Sequence, residues 1–375
     1  MRIWVIGRGY PSTVNHMLGS FELEQAQMFA KYGNEVYYPV VDLRSVRHRR
    51  KWGLSLAQQQ GVTIATFSFP VGRIVPMKWQ ILLKRHFREV LLRKLGRRTG
   101  KPDIIHVHYP SIYPYKLFSG FQKEGAKIIG TEHWSKVQNH SLPPHCVLNM
   151  REFVDQCDAI CCVGPQLREA VLKLTGTNKE IHIIPNVVSK MFSPTGQAHL
   201  GFRFVAAGRL IPTKQFDLIV KAFVDVFHDQ KEVSLSIAGN GTEYDKIHRI
   251  ILENKAEDQI HMTGEITRQQ MAELLGETDV LVVFSSFETF CVPVIEAWSC
   301  GKPVISTEST ILALNPDPRL GILVDSQDIS SLKKAMKDIR NEYDKYNSDF
   351  LSDYAQRHFS EEAVYHMLRN VYSIK

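Results

Sequence analysis

Short runs of β-branched and aromatic residues recur along the whole chain. Most are followed by a glycine- or proline-containing loop and then a segment of helical length. Two parallel strands can be joined only by a crossover of about that length, so the pattern predicts parallel α/β sheets rather than hairpin-built β structure. In the first half the runs are Ile3-Trp4-Val5-Ile6, Glu35-Val36-Tyr37-Tyr38 and residues 103–108, 127–130 and 159–163. After Ile183-Ile184-Pro185-Asn186 and the turn-like Ser193-Pro194-Thr195-Gly196, the pattern restarts at residues 202–207, 234–238, 261–263, 280–284 and 303–306. A chain of 375 residues also exceeds one ordinary core of roughly 150 residues. The expectation is therefore α/β with two Rossmann-like doubly wound domains, 1–194 and 195–358, and a helical tail, 359–375. Such sheets bind ligands outside the carboxyl ends of their strands, so a cleft shared by the two domains is where chemistry is expected.

Charge separates the two halves. Residues 1–190 hold 27 Lys and Arg against 13 Asp and Glu, a net of +14, whereas the remaining 185 residues are net −7. Two domains with different partners would show such an asymmetry. The basic excess is concentrated in residues 44–51 and in residues 73–101, where ten Lys and Arg face the single acid Glu89. Between those cations Trp79, Leu82, Leu83, Phe87, Val90, Leu91 and Leu95 recur at helical spacing. That stretch reads either as a helix packing its stripe on the first sheet or as a peripheral seat on anionic lipid. Nucleic acid is not expected, because no aromatic platform or recognised binding motif accompanies the charge. The apolar run before Gly7 is only four residues long, a first buried strand rather than a signal-peptide core. No apolar run reaches the ~18–20 residues of a bilayer span, so the expected compartment is the cytoplasm, with the inner face of the cell membrane as the surface the basic stretch would meet.

Six cysteines show neither a CxxC pair nor a framework spacing and read as reduced, buried thiols. His106 and His108 share a strand face and with His133 could imitate a metal site, but strand histidines in an α/β core are usually just hydrogen-bonded, and no metal is expected. Gly239-Asn240-Gly241 lacks the rest of a dinucleotide fingerprint and reads as a strand-to-helix turn.

Two segments carry the chemistry. In residues 284–297 a buried strand ends at Phe284, a loop follows, and Pro293 suits the first turn of the next helix. Glu288 then lies on the loop and Glu296 in the opening turns of the helix, where carboxylates can accept hydrogen bonds from paired hydroxyls. In residues 204–214, Gly208 permits close backbone approach just beyond a buried strand, and Arg209 and Lys214 follow. A planar fork and a point charge suit a diphosphate.

Together these segments reach a known pattern. The chain resembles glycosyltransferase family 4, retaining enzymes of the two-domain GT-B fold, over nearly its whole length. Gly208-Arg209-Leu210 with Lys214 is similar to the family's diphosphate-binding stretch, and Glu288 and Glu296 match its E-x7-E motif. Gly301-Lys302-Pro303-Val304-Ile305 resembles the strand after it, Ile184-Pro185-Asn186 the interdomain segment, Gly19-Ser20-Phe21 the first glycine loop, His106-Val107-His108 the middle strand, and Thr131-Glu132-His133 the segment facing the cleft.

The resemblance implies roles. Arg209 and Lys214 would neutralise the leaving diphosphate. Glu288, with the N–H groups of Thr289, Phe290 and Cys291, would hold donor-sugar hydroxyls, and Glu296 the ribose. The backbone near Glu265 and Ile266 would border the base. Gly19 would bring an N–H toward the phosphate, His133 would sit by the reacting sugar, and His16 and Tyr109 would flank the acceptor. The nucleotide-sugar, of UDP or GDP type, is a substrate, and no cofactor is implied. The tail 359–375 would pack back on the first domain. The implied activity is extension of a polysaccharide or lipid-linked glycan in bacterial surface polysaccharide synthesis. A sugar-nucleotide epimerase on the same fold and a non-enzymatic basic membrane- or nucleic-acid-binding protein are the alternatives. The chain departs from the family where Thr289, Cys291 and Gln215 stand at usual glycine positions.

Overall fold

A computed structural model describes residues 1–11, 18–45, 47, 51–72, 75–196, 199–314 and 316–373. His16 and Arg73 lie outside the described residues. The chain divides into two compact units, Met1–Ile184 with Tyr365–Lys375, and Pro185–Val364.

Among its described residues the first unit holds eight strands: β1 (Arg2–Ile6), β2 (Glu35–Asp42), β3 (Gly53–Gln59), β4 (Val62–Ser68), β5 (Ile104–His108), β6 (Lys127–Glu132), β7 (Ala159–Cys162) and β8 (Ile181–Ile183). Their order is β3-β4-β2-β1-β5-β6-β7-β8, parallel except for β3 against β4. The parallel strands are covered on both faces, which is why β1, β5 and β6 are buried along nearly their whole length. The β3–β4 hairpin escapes the sequence reading. Its turn is Gln60-Gly61, with φ of +47° and +80°, the two-residue geometry that matches strand twist. Half-exposed β3 is polar at its end, so it offers no apolar run.

The second unit holds β9 (Phe202–Ala207), β10 (Val233–Ala238), β11 (Ile260–Gly264), β12 (Val280–Val283), β13 (Val304–Thr307) and β14 (Gly321–Val324), all parallel, in the order β11-β10-β9-β12-β13-β14. The order reverses between β9 and β12, the switch point where a doubly wound sheet leaves a crevice at its carboxyl edge. Phe204, Phe223, Phe227, Leu235, Ile237 and Val282 fill the core beneath it.

The division falls at 184/185 rather than at the expected 194/195. Segment 185–195 is tied into the second unit by hydrogen bonds, among them Val188 N–H to Phe359 O at 2.8 Å, Ser299 Oγ to Phe192 O at 2.7 Å, and Thr195 Oγ1 to Gly276 O at 3.3 Å. The tail likewise rejoins the first unit only from Tyr365, within the helix Glu361–Tyr372. There Tyr365 stacks on Tyr32 at 4.0 Å between ring centroids, and the Tyr372 hydroxyl lies 2.6 Å from His106 Nδ1.

In helix Met77–Thr99 the two sequence readings divide the helix between them. Leu91, Leu92 and Leu95 are buried, whereas Trp79 and Leu82 are 61% and 55% exposed. Arg88, one of the ten cations of residues 73–101, is buried with its guanidinium 4.4 Å from the Tyr113 ring centroid, a cation–π seat inside the unit. The six cysteines are free and buried.

Candidate functional site

The second unit places its loops at the carboxyl edge by close backbone contact. Gly208 N–H donates to Ala238 O and Leu210 N–H to Asn240 O, both at 2.9 Å. A Cβ on Gly239, at φ +145°, would lie 1.9 Å from Gly208 O, and one on Gly241 would lie 2.3 Å from Leu210 O. The turn Gly239-Asn240-Gly241 is therefore a brace that fixes the Gly208–Lys214 loop.

Across the switch point, the loop after β12 is stitched to the same segment. Ser286 N–H and Oγ both donate to Thr213 O, at 2.9 and 3.2 Å, and Thr307 Oγ1 donates to Ser285 O at 2.7 Å. These bonds bring Glu288, 8% exposed, into ion-pair contact with Lys214. Burial pushes the Lys214 ammonium down, but the Glu288 charge, Cys291 and the hydrogen bond to Glu288 outweigh it and hold the group above its ordinary value. Lys214 therefore stays charged. Arg209 is exposed, and its positive charge reaches Lys214.

Glu296 lies one helical stretch further on, 6% exposed, in helix Val292–Ser299. Its Oε1 accepts from Arg268 Nη2 at 3.1 Å. Sequence reasoning missed Arg268. It opens helix Arg268–Gly276, whose capping box, Thr267 with Gln270, is legible in the sequence, but its partner lies 28 residues away. Glu265 is exposed and Ile266 half-buried, just after Gly264 at φ +72°. Cys291 and Gln215 keep left-handed backbones, φ +68° and +51°, each at a helix start. The chain has replaced glycine at two positions that still demand its conformation, at a cost of about 1–2 kcal/mol each. Thr289 and Phe290 lie on the approach to that helix, with Phe290 buried against Phe359 at 6.1 Å between centroids.

The first unit gathers its candidates at the carboxyl edge of its own sheet. Gly19 caps helix Ser20–Lys31 at φ +79°, packed so that a Cβ would meet Gly9 O at 2.3 Å. Tyr109 follows β5 with φ +57°, a strained backbone for an aromatic residue, and Arg8 stacks over its ring at 3.9 Å. Arg8, itself paired with buried Glu22 at 3.2 Å, is a second residue that sequence reasoning missed. His133 lies 5.0 Å from Tyr109 by ring centroids, and its Nε2 is 2.9 Å from His108 Nδ1. Glu132 anchors this segment. One carboxylate oxygen accepts the N–H groups of His133 and Trp134, both at 2.9 Å, and the other accepts Ser111 Oγ at 2.8 Å.

Each of the three imidazoles has a hydrogen-bond partner. His106 Nε2 is 2.7 Å from Thr131 Oγ1 and its Nδ1 is taken by Tyr372. Burial drives His106 and His108 well below the ordinary histidine range, and burial with the charge of Arg8 pushes His133 down to about 3. The unfolded chain protonates these groups near 6.5. It therefore binds more protons than the folded state below that pH, and stability falls as pH drops. Buried Glu132, whose carboxyl is lifted by desolvation, acts in the opposite sense and softens the loss. The melting temperature is expected to drop between pH 7.5 and 5.5, and the drop should shrink in His106→Gln; a flat profile would contradict this reading.

Comparison with known proteins bears on both units. Residues 34–190 match the family description Glycosyltransferase Family 4, and residues 192–356 match Glycosyl transferases group 1. The chain is 24% identical over 233 residues to the phosphatidylinositol N-acetylglucosaminyltransferase GPI3 subunit of Saccharomyces cerevisiae, covering 59% of this chain and 50% of that one. It spans about half the length of the curated relatives it matches. Among solved structures it superposes on sucrose-phosphate synthase from Thermosynechococcus elongatus with a TM-score of 0.78 at 18% identity, over 99% and 98% of the two chains. The HepE protein of Anabaena, solved in complex with UDP, gives 0.75 at 13% identity, over 99% of each. These likenesses give the fold as GT-B. With both units matched in order and the E-x7-E carboxylates, Arg209 and Lys214 placed at one sheet's switch point, the chain belongs to the family 4 glycosyltransferases.

Proposed function

We propose that the protein transfers a sugar from a UDP- or GDP-type nucleotide-sugar to a polysaccharide or lipid-linked glycan, with retention of anomeric configuration, in the synthesis of a surface polysaccharide. The reading rests on the pair Lys214–Glu288 at the switch point between β9 and β12. A cation and a carboxylate held together there serve the two halves of such a donor. Lys214, with Arg209, meets the diphosphate as its bond to the sugar breaks, an interaction that strengthens in the transition state. Glu288 and the backbone N–H groups of Thr289, Phe290 and Cys291 hold the sugar hydroxyls, with Gly208 giving the diphosphate close backbone access.

Glu296 takes the ribose hydroxyls, with Arg268 orienting it, and the backbone at Glu265 and Ile266 borders the base. In the first unit, Gly19 is assigned to the phosphate, and His133 and Tyr109 to the acceptor side. In the reaction the bond from the anomeric carbon to the diphosphate oxygen breaks, the acceptor oxygen bonds to that carbon, and its proton goes to the departing phosphate. The test is release of nucleoside diphosphate coupled to a new glycosidic product. A donor that is isomerised without transfer would favour the epimerase reading instead.

Peripheral contact with anionic membrane on the cytoplasmic side belongs to the same proposal. Among the described residues no helix is long and apolar enough to cross a membrane. Trp52, Phe69, Trp79 and Leu82 are nonetheless large and exposed. Phe69 packs on Phe87 at 4.7 Å between ring centroids, and exposed Lys84 and Arg85 follow Leu82 on the same helix. Exposed apolar side chains with cations on the same helix suit an interfacial seat. Trp79→Ala with Leu82→Ser should reduce sedimentation with phosphatidylserine vesicles severalfold while leaving donor hydrolysis unchanged; equal sedimentation would remove the membrane contact.

A further inference from the structure

A cavity of about 600 Å³ lies in the first unit, and none of the residues assigned above to the donor or the acceptor lines it. Lys101 and Glu124 line it just before β5 and β6 begin, so it opens at the amino edge of the sheet, opposite the edge that carries Tyr109 and His133. Its volume falls in the range of small-molecule sites.

Its charges are unevenly matched. On helix Met77–Thr99, Arg93 pairs with Glu89, and Lys101 pairs with Glu124 at 3.3 Å. Arg97 and Lys116 also line the cavity, and among the described residues neither has an acidic partner within ion-pair distance. Lys116 reaches Glu89 only as a through-space charge and Arg97 stands outside the ion pairs, so two cations beside two carboxylates ask for a ligand that is anionic at one end and rich in hydroxyl groups at the other. The floor is apolar. Leu117 and Phe121 form part of it, and Gly96 lets the helix approach so closely that a Cβ there would touch Phe121 at 3.4 Å and Trp4 at 3.5 Å.

We infer that this cavity binds a phosphorylated monosaccharide. Arg97 and Lys116 hold the phosphate, Glu89 and Glu124 accept sugar hydroxyls, and Phe121 takes a C–H face of the ring. A polyanion such as nucleic acid would meet those two carboxylates unfavourably. A lipid is disfavoured too, because the large exposed apolar residues of this unit do not border the cavity.

The experiment is calorimetric titration of the full chain at low ionic strength with glucose 6-phosphate, inorganic phosphate and glucose. Saturable binding of the sugar phosphate is expected, at least about tenfold tighter than of either fragment, weakening with salt. Arg97→Ala with Lys116→Ala should weaken it at least about tenfold. Both side chains are exposed, so the fold is not at risk, and an unchanged melting temperature checks that. Glu89→Gln with Glu124→Gln should weaken the sugar phosphate but not phosphate. Lys214→Ala should bind as the parent does. Absence of binding, binding unaltered in the Arg97/Lys116 variant, or binding lost in Lys214→Ala would each overturn the assignment. Phosphate binding as tightly as the sugar phosphate would overturn its sugar half.

Discussion

Lys214→Ala is expected to lower turnover with a nucleotide-sugar by at least about tenfold, roughly 1.4 kcal/mol of barrier. The loss should fall on kcat more than on KM, because the cation is needed most where charge gathers on the departing diphosphate. The same substitution strips Glu288, 8% exposed, of its ion-pair partner. Breaking a buried pair from one side is destabilising, here by about 3 kcal/mol. The two effects separate in the variant carrying Lys214→Ala and Glu288→Gln. Its stability should recover because no unpaired charge remains, while its turnover should stay low. Recovery of both would make the pair a structural strut and remove its catalytic role.

Gly239→Ala is expected to cost about 3 kcal/mol or more of stability, or roughly 6–12 °C in melting temperature for a unit of this size. Two independent penalties combine. The φ of +145° is one that residues with a Cβ rarely adopt, and that Cβ would sit 1.9 Å from Gly208 O. The displaced carbonyl belongs to the loop that carries Arg209 and Lys214, so donor affinity should fall with stability. Gly33→Ala is the control. At φ +80° with nothing within 4 Å of the new Cβ, it should cost only the backbone penalty, about 1 kcal/mol. Equal melting temperatures for the two variants would mean that the Gly208 and Gly239 loops are not braced as described.

What was legible in the sequence follows from how each feature is written there. Parallel strands buried on both faces leave mostly apolar runs, so residues 204–207 and 280–284 stand out and the restart after residue 195 marks a second sheet. The hairpin strand Gly53–Gln59 was not legible because it is half-exposed and ends in glutamines, and only its Gln60-Gly61 turn carries a signal. Glu288 and Glu296 were found by spacing, but the cations that hold them arrive from 74 and 28 residues away. Lys214 lay in a recognisable stretch, whereas Arg268 did not.

Backbone conformation is the other blind spot. The sequence shows that Gln215 and Cys291 stand where glycine is usual, but not that the chain keeps the left-handed turn regardless. The domain boundary moved by ten residues because hydrogen bonds from Val188, Phe192 and Thr195, rather than composition, decide which unit that segment joins. His16, an acceptor-side candidate, lies outside the described residues.

The most direct measurement is thermal unfolding of the parent chain and of the Lys214→Ala, Glu288→Gln variant against a panel of UDP-, GDP- and ADP-sugars. A ligand that binds only the folded state stabilises it by RT ln(1 + [L]/Kd), about 2.7 kcal/mol at a hundredfold excess over Kd. The expected result is a rise of several degrees with at least one nucleotide-sugar in the parent and little or none in the variant. A flat response of the parent to every member of the panel, or an equal rise in the variant, would contradict a donor seat at the switch point between β9 and β12.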